Sequence, residues 1–230
     1  MGLEKVCRGL CPLQQLDNMI MPPMLSDAKD RWIWALDGLG KFTVASLKKL
    51  LQDNRFGPAP YVIIRNNWVP RKVDILAWRA ELDRIPTRCA LIRRNINVTS
   101  NLCPLCSEYP ETVEHLFISC EFAQMVWNVV SQWCKLGPVF AFGMRDILDG
   151  HSYISGSPKL KKVFHAVCLT TLWCIRKSRN ELVFQQKHSS LQKVVVDIKA
   201  LSLLWVRARS KQYSLTWEVW SGFNLSSVGW

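Results

Sequence analysis

Residues 103–120 read CPLCSEYPETVEHLFISC, a C-x2-C-x8-H-x4-C pattern, and no other stretch limits the fold of this chain so strongly. Two thiolates three residues apart on a tight turn reach a single ion at about 2.3 Å, so Cys103 and Cys106 predict one half of a metal knuckle. His115 and Cys120 supply the other two vertices. Five residues along an α-helix rotate the chain by about 500°, roughly 140° from the starting face, so both cannot ligate from one straight helix. The spacing therefore predicts a helical turn over Thr112–Phe117 that breaks before Cys120, with Cys120 just ahead of the next helix. A tetrahedron of three Cys and one His leaves no vertex for water, which makes it a closed, structural site for one Zn2+.

Composition supports ligation over disulfide bonding. The chain has nine Cys in 230 residues, and its start, MGLEKVCRGL, lacks the apolar core of a signal peptide and carries Val6 where a myristoylation signal needs Ser or Thr. In a reducing compartment clustered thiols are metal ligands. Cys7, Cys11, Cys89, Cys134, Cys168 and Cys174 read as core or incidental residues. With 49% hydrophobic and 21% charged residues, the chain is long and apolar enough to bury a core, which excludes global disorder. The longest apolar stretch, Val163–Ile175, falls short of the roughly 18 to 20 residues that cross a bilayer, so no membrane partner is expected.

Along the chain, residues 1–29 show no sustained period and read as a loose leader. Trp32 and Trp34, the turn signal Asp37-Gly38-Leu39-Gly40 and the run Phe42–Val44 predict a small β-hairpin, followed by a helix capped by Thr43 or Ser46. Residues 71–83 place Val73, Leu76, Ala77 and Ala80 on one helical face, and Pro86-Thr87 opens a second short helix through Arg94. Beyond the cysteines, Phe122, Met125, Val126, Val129, Val130 and Trp133 form a helical ladder over 121–135. Residues 138–157 read as a connector with a short turn at Met144–Leu148. Ser157-Pro158 begins a long helix to about Gln186, with Leu160, Val163, Phe164, Val167 and Thr171 on its buried stripe. Ser189 and Ser190 cap a last one, with Leu191, Val194, Val195, Ile198, Leu201 and Trp205 inward, and the aromatic tail 212–230 is not placed by its pattern. The fold class is thus mainly α with a small N-terminal hairpin. Residues 30–137 form a zinc-stapled domain, and basic helices over 158–211 pack on it.

A net charge of +12 makes a polyanion the default partner. The charge is not on the finger: residues 103–120 hold three Glu and no Lys or Arg, whereas residues 65–94 hold eight Lys and Arg against three acids, and 159–211 hold twelve against two. Counting three thiolates and a divalent ion, the finger carries about −4 and should repel phosphate. Zinc is therefore expected to staple the turn, while Arg71, Lys72, Arg79, Arg88, Arg93, Arg94 and the later cations contact phosphate. No H-E-x-x-H, G-x-x-x-x-G-K-[ST], G-x-S-x-G or G-x-G-x-x-G is present. A zinc deaminase needs H-x-E ahead of P-C-x-x-C, and here all four His follow Cys106.

With these residues in view, the chain resembles the reverse-transcriptase zinc-binding domain found after the polymerase in plant non-LTR (LINE-type) retrotransposon proteins and in stand-alone relatives. The resemblance rests on Trp32, Gly40-Lys41-Phe42-Thr43-Val44, Trp68, Pro70, Lys72-Val73, Trp78-Arg79, Pro86-Thr87, Leu91 and Arg94. It continues through Cys103, Cys106, Glu111, His115-Leu116-Phe117, Cys120, Ala123 and Val126-Trp127, then Trp173–Asn180 with Phe184. Arg176 stands where relatives usually carry Trp, and Leu76 where Phe is common. The polymerase Tyr-x-Asp-Asp motif is absent, and no endonuclease or RNase H module is visible.

The resemblance implies zinc binding and a role in holding nucleic acid beside a polymerase. The leading expectation is a non-enzymatic module that binds RNA or DNA with weak sequence specificity, with a reverse transcriptase polypeptide as a further partner and no small-molecule substrate. An intracellular, nuclear location follows from the resemblance alone. The alternative is a protein-interaction or structural module, including a retrotransposon relic without retained activity.

Overall fold

The computed structural model describes residues 33–35, 38–56, 64–137, 141 and 143–230. The leader and Trp32 lie outside them. The chain divides into two compact units, Met1–Val62 and Ile63–Trp230.

In the first unit Thr43 caps helix α1 (Val44–Phe56), its Oγ1 accepting the Ser46 N–H at 3.0 Å. The expected hairpin ahead of it is corrected, because no strand forms among the described residues. A turn stands there instead, closed by the Trp34 N–H to the Gly40 carbonyl at 2.9 Å and by an edge-on contact of Trp34 with Phe42 at 5.0 Å. Gly40 has φ +66, and a Cβ there would lie 2.8 Å from Ile33 Cγ2. Its left-handed turn leads straight into α1, leaving too little chain for a ladder, and so short a two-stranded ribbon is marginal in water.

The second unit is helical: α2 (Arg71–Glu81), α3 (Arg88–Ile92), α4 (Glu121–Trp133), α5 (Met144–Asp149), α6 (Pro158–Gln185), α7 (Leu191–Ser210) and α8 (Trp217–Ser221). Helix starts follow local chemistry. Thr87, Ser157 and Ser190 accept the N–H groups of Ala90, Leu160 and Lys193 through their hydroxyls, each satisfying an otherwise orphaned donor. Gln186 in the left-handed conformation, φ 54, ends α6.

Helix α6 is the axis of the unit, contacted by α2, α4, α5 and α7. From Val163 to Leu172 every side chain is buried, so the single apolar stripe expected for it is a buried cylinder instead. Thr170 and Thr171 lie inside that cylinder because their hydroxyls donate to the Ala166 and Val167 carbonyls at 2.7 and 2.9 Å. On α2 the four predicted core positions, Val73, Leu76, Ala77 and Ala80, are all buried. Helix α4 is rotated from its expected stripe: Ala123, Val126, Trp127 and Val130 face inward, while Met125 is exposed. On α7, Val194, Val195 and Ile198 are buried with Ser202 and Val206, and Leu201 and Trp205 sit at the edge. The aromatic tail closes the core. Trp220 is fully buried, edge-on to Trp133 at 5.8 Å, and its indole N–H donates to Ser202 Oγ.

One buried group on α6 makes stability depend on pH. His165 is 3% exposed, its ring stacked on His151 at 4.2 Å. Burial first, and the His151 charge second, pull its pKa down to about 3. Between that value and the unfolded value near 6.5, the unfolded chain binds the extra proton, so stability falls as pH drops through this window and is unaffected above it. At pH 5 the expected loss from this one site is about 2 kcal/mol. Urea melts of wild type and His165→Leu at pH 7 and 5 measure it, and identical pH slopes would refute the assignment.

Candidate metal centre

The knuckle is built by short-range backbone bonds. The Cys103 N–H donates to the Tyr109 carbonyl at 2.6 Å and the Ser107 N–H to the Cys103 carbonyl at 2.7 Å, with Leu102 and Pro110 forming an isolated bridge. Ser107 takes φ 61 to reverse the chain. Cys103 Sγ receives the Cys106 and Leu105 N–H groups, the pattern of two thiolates on one tight turn.

The second half solves the rotation problem in a way the spacing did not specify. The helical turn extends beyond Phe117, and His115–Ser119 is a π turn, with the Cys120 N–H donating to the His115 carbonyl at 2.8 Å. An i→i+5 turn winds at about 4.4 residues per turn rather than 3.6, so five residues rotate by about 410° and bring position 120 back towards the face of position 115. Cys120 is then extended (φ −64, ψ 131) and precedes α4, as expected.

The four donor atoms lie within 4.8 Å of one another. Cys103 and Cys120 sulfurs are 3.9 Å apart, and Cys106 Sγ is 3.3 Å from His115 Nε2. Bonds of about 2.3 Å to a tetrahedral ion imply edges of about 3.8 Å between sulfurs, so the donors fit one zinc ion. The His115 Nδ1 edge faces Ser119 Oγ at 3.3 Å, which leaves Nε2 for the metal. Burial lowers the His115 pKa and so favours the neutral, ligating ring. The Cys103–Cys120 sulfur contact pushes the Cys103 thiol up and the Cys120 thiol down. Cys120 is the better thiolate because it also takes the Ala123 and Phe122 N–H groups at the start of α4. Burial pushes Cys134, Cys168 and Cys174 up instead, as suits thiols that only fill the core.

A buried ion pair ties the knuckle to α6. Glu111 is 0% and Arg179 3% exposed, and two parallel bonds of 2.6 and 2.7 Å join them. Glu111 Oε2 also accepts the Arg88 N–H at 2.7 Å, so one carboxylate joins the knuckle, α3 and α6. The finger is thus less acidic than its formal count. Both residues fall in the stretches that carried the family resemblance, but no spacing links positions 68 apart.

The six cations expected to contact phosphate differ in availability. Arg71, Lys72, Arg79, Arg93 and Arg94 are exposed, whereas Arg88 is half-buried with its guanidinium on the Leu102 carbonyl at 2.9 Å. Arg93 pairs with Asp83 at 2.6 Å, Arg79 donates to the Arg84 carbonyl, and Lys72 Nζ lies 4.8 Å over the Trp173 ring. Arg71 and Arg94 have no ion pair among the described residues. None of the helices formed by described residues is long and apolar enough to cross a membrane.

Fold and site together define a zinc-stapled helical domain. Residues 42–127 match the family model described as zinc-binding in reverse transcriptase, and this segment contains all four ligands. Over that segment the chain is similar to the reverse-transcriptase zinc-binding family. No curated protein and no solved structure matches the chain.

Proposed function

We propose that the protein is a non-enzymatic nucleic-acid-binding module, held in shape by zinc and derived from the region that follows the polymerase in non-LTR retrotransposon proteins. The observation that carries this reading is the separation of metal from charge. The ligand set is complete, with three ligands buried, Cys106 half-buried and no vertex for a substrate, while exposed cations such as Arg71, Lys72 and Arg94 lie outside it. Phosphate contacts from such side chains give affinity without base reading, so binding is weakly sequence-specific. A reverse transcriptase polypeptide is the natural protein partner, and nuclear residence follows from the same origin.

Affinity for mixed-sequence RNA and DNA, titrated over salt with the zinc-loaded protein, tests the reading. Log K is expected to fall steeply with log salt, and Arg71→Gln and Arg94→Gln each to reduce the slope by about 1 without changing sequence preference. Absence of binding at low salt would transfer the function to protein interaction. That second reading draws on Val196 and Leu204, apolar and exposed on α7.

A further inference from the structure

A trough of about 380 Å³ runs along the C-terminal half of α6, lined by Trp173, Arg176, Lys177, Asn180, Glu181, Phe184 and Gln185 and walled by Leu76 of α2. Its chemistry mixes aromatic faces with unbalanced positive charge. Phe184 is 76% exposed, a large apolar ring that the folding of the unit leaves uncovered. Trp173 is half-buried and already carries Lys72 over its ring. Arg176 is close enough to Arg179 and Arg79 for all three charges to interact, and Glu111, which is bound to Arg179, is the acid that opposes them. Burial, then the Arg179 charge, pulls Arg176 down to about 10, so it stays charged at neutral pH. Its Nη1 is buried without a hydrogen-bond partner, a cost that an acceptor entering the trough removes. The one acid lining the trough, Glu181, is already engaged by Lys193 at 3.4 Å and Lys177 at 3.7 Å and so does not offer an unopposed charge to phosphate.

Resting on the nucleic-acid reading above, we infer that this trough binds single-stranded nucleic acid, with a base stacked on Phe184 and the backbone phosphate held by Arg176. The net positive lining, Arg176 and Lys177 against Glu181, selects a polyanion, and the uncovered Phe184 ring selects one whose bases are free to leave their own stack. A duplex keeps its bases stacked and offers only phosphate. The trough is also of a size that accepts a nucleotide.

The test uses the full-length, zinc-loaded protein with fluorescent oligo(U) and oligo(dT) of about 12 nucleotides, a single-strand site size, beside mixed-sequence duplexes. Phe184→Ala is expected to weaken single-strand binding about tenfold and leave duplex binding and the salt slope unchanged. Phe184→Tyr should restore it, because the stacking face returns. Arg176→Gln should lower the single-strand salt slope by about 1. The Phe184 ring is exposed, so its removal leaves the fold intact, which thermal melting checks. Single-strand binding that survives Phe184→Ala, or an equal loss on duplexes, overturns the trough while leaving the nucleic-acid reading standing. Wild-type protein that binds neither form at low salt overturns both.

Discussion

Cys106→Ser and His115→Ala are each expected to abolish retention of one zinc equivalent and to melt residues 101–134, the largest effect of any substitution discussed for this chain. The reason lies in how little regular secondary structure sets the knuckle itself, even though Leu116 and Phe117 pack into the core and Glu111 pairs with Arg179. The stretch between α3 and α4 is organised by turns, one isolated bridge and a single π turn, and it contains no strand. Structural zinc contributes on the order of 10 kcal/mol or more to such units, comparable to the whole stability of a typical domain. A chelator should reproduce the loss in the wild type. Zinc content by mass spectrometry, with amide hydrogen exchange over 101–134, provides the readout. One retained zinc and unchanged protection in either variant would remove the metal from the account.

Glu111→Gln should cost about 3–5 kcal/mol, the usual penalty for breaking a buried pair and leaving its partner charged in a dry environment. Here the stranded charge is Arg179, 3% exposed, with Arg176 close by. Replacing both partners, Glu111→Leu with Arg179→Met, should recover part of that loss. Recovery stays incomplete because Glu111 also accepts the Arg88 N–H, and an unsatisfied buried donor costs about 1–3 kcal/mol. The contrast is Asp83→Asn at the Arg93 pair, whose side chains are 63% and 51% exposed, so that solvent screens the pair and its loss should leave stability nearly unchanged. Denaturant melts of Glu111→Leu, Arg179→Met and the double form the cycle. Strictly additive losses at 111 and 179 would show that the pair does not act as a unit.

What could be read from the sequence was what is decided within a few residues. The ligand set, the caps at Thr87, Ser157 and Ser190, and the limits of α6 all depend on neighbours close in the chain. The rotation argument correctly required a break at Cys120, but it considered only an α-helix and so missed the π turn that precedes it. Periodicity failed where burial has no preferred side: α6 is enclosed all round, so no stripe was there to find. The hairpin gave way to a turn closed by the Trp34 N–H on the Gly40 carbonyl, with no strand among the described residues. The Glu111–Arg179 pair and the docking of Trp220 on Trp133 link distant positions, for which a single sequence carries no spacing rule. The family match itself stops at Trp127, short of α6, and so leaves out the residue that neutralises Glu111.

That distance also orders events in time. The four ligands occupy 18 consecutive residues, whereas Glu111 must wait for a partner 68 positions later. At synthesis rates of about 5–20 residues per second, Cys120 leaves the ribosome roughly 3–12 seconds before Arg179. The knuckle can load its ion in that interval while Glu111 is still hydrated, and the carboxylate loses its water only when α6 arrives bearing the counter-charge. A nascent chain built this way has all four metal ligands outside the ribosome before the buried ion pair that ties the knuckle to α6 can form.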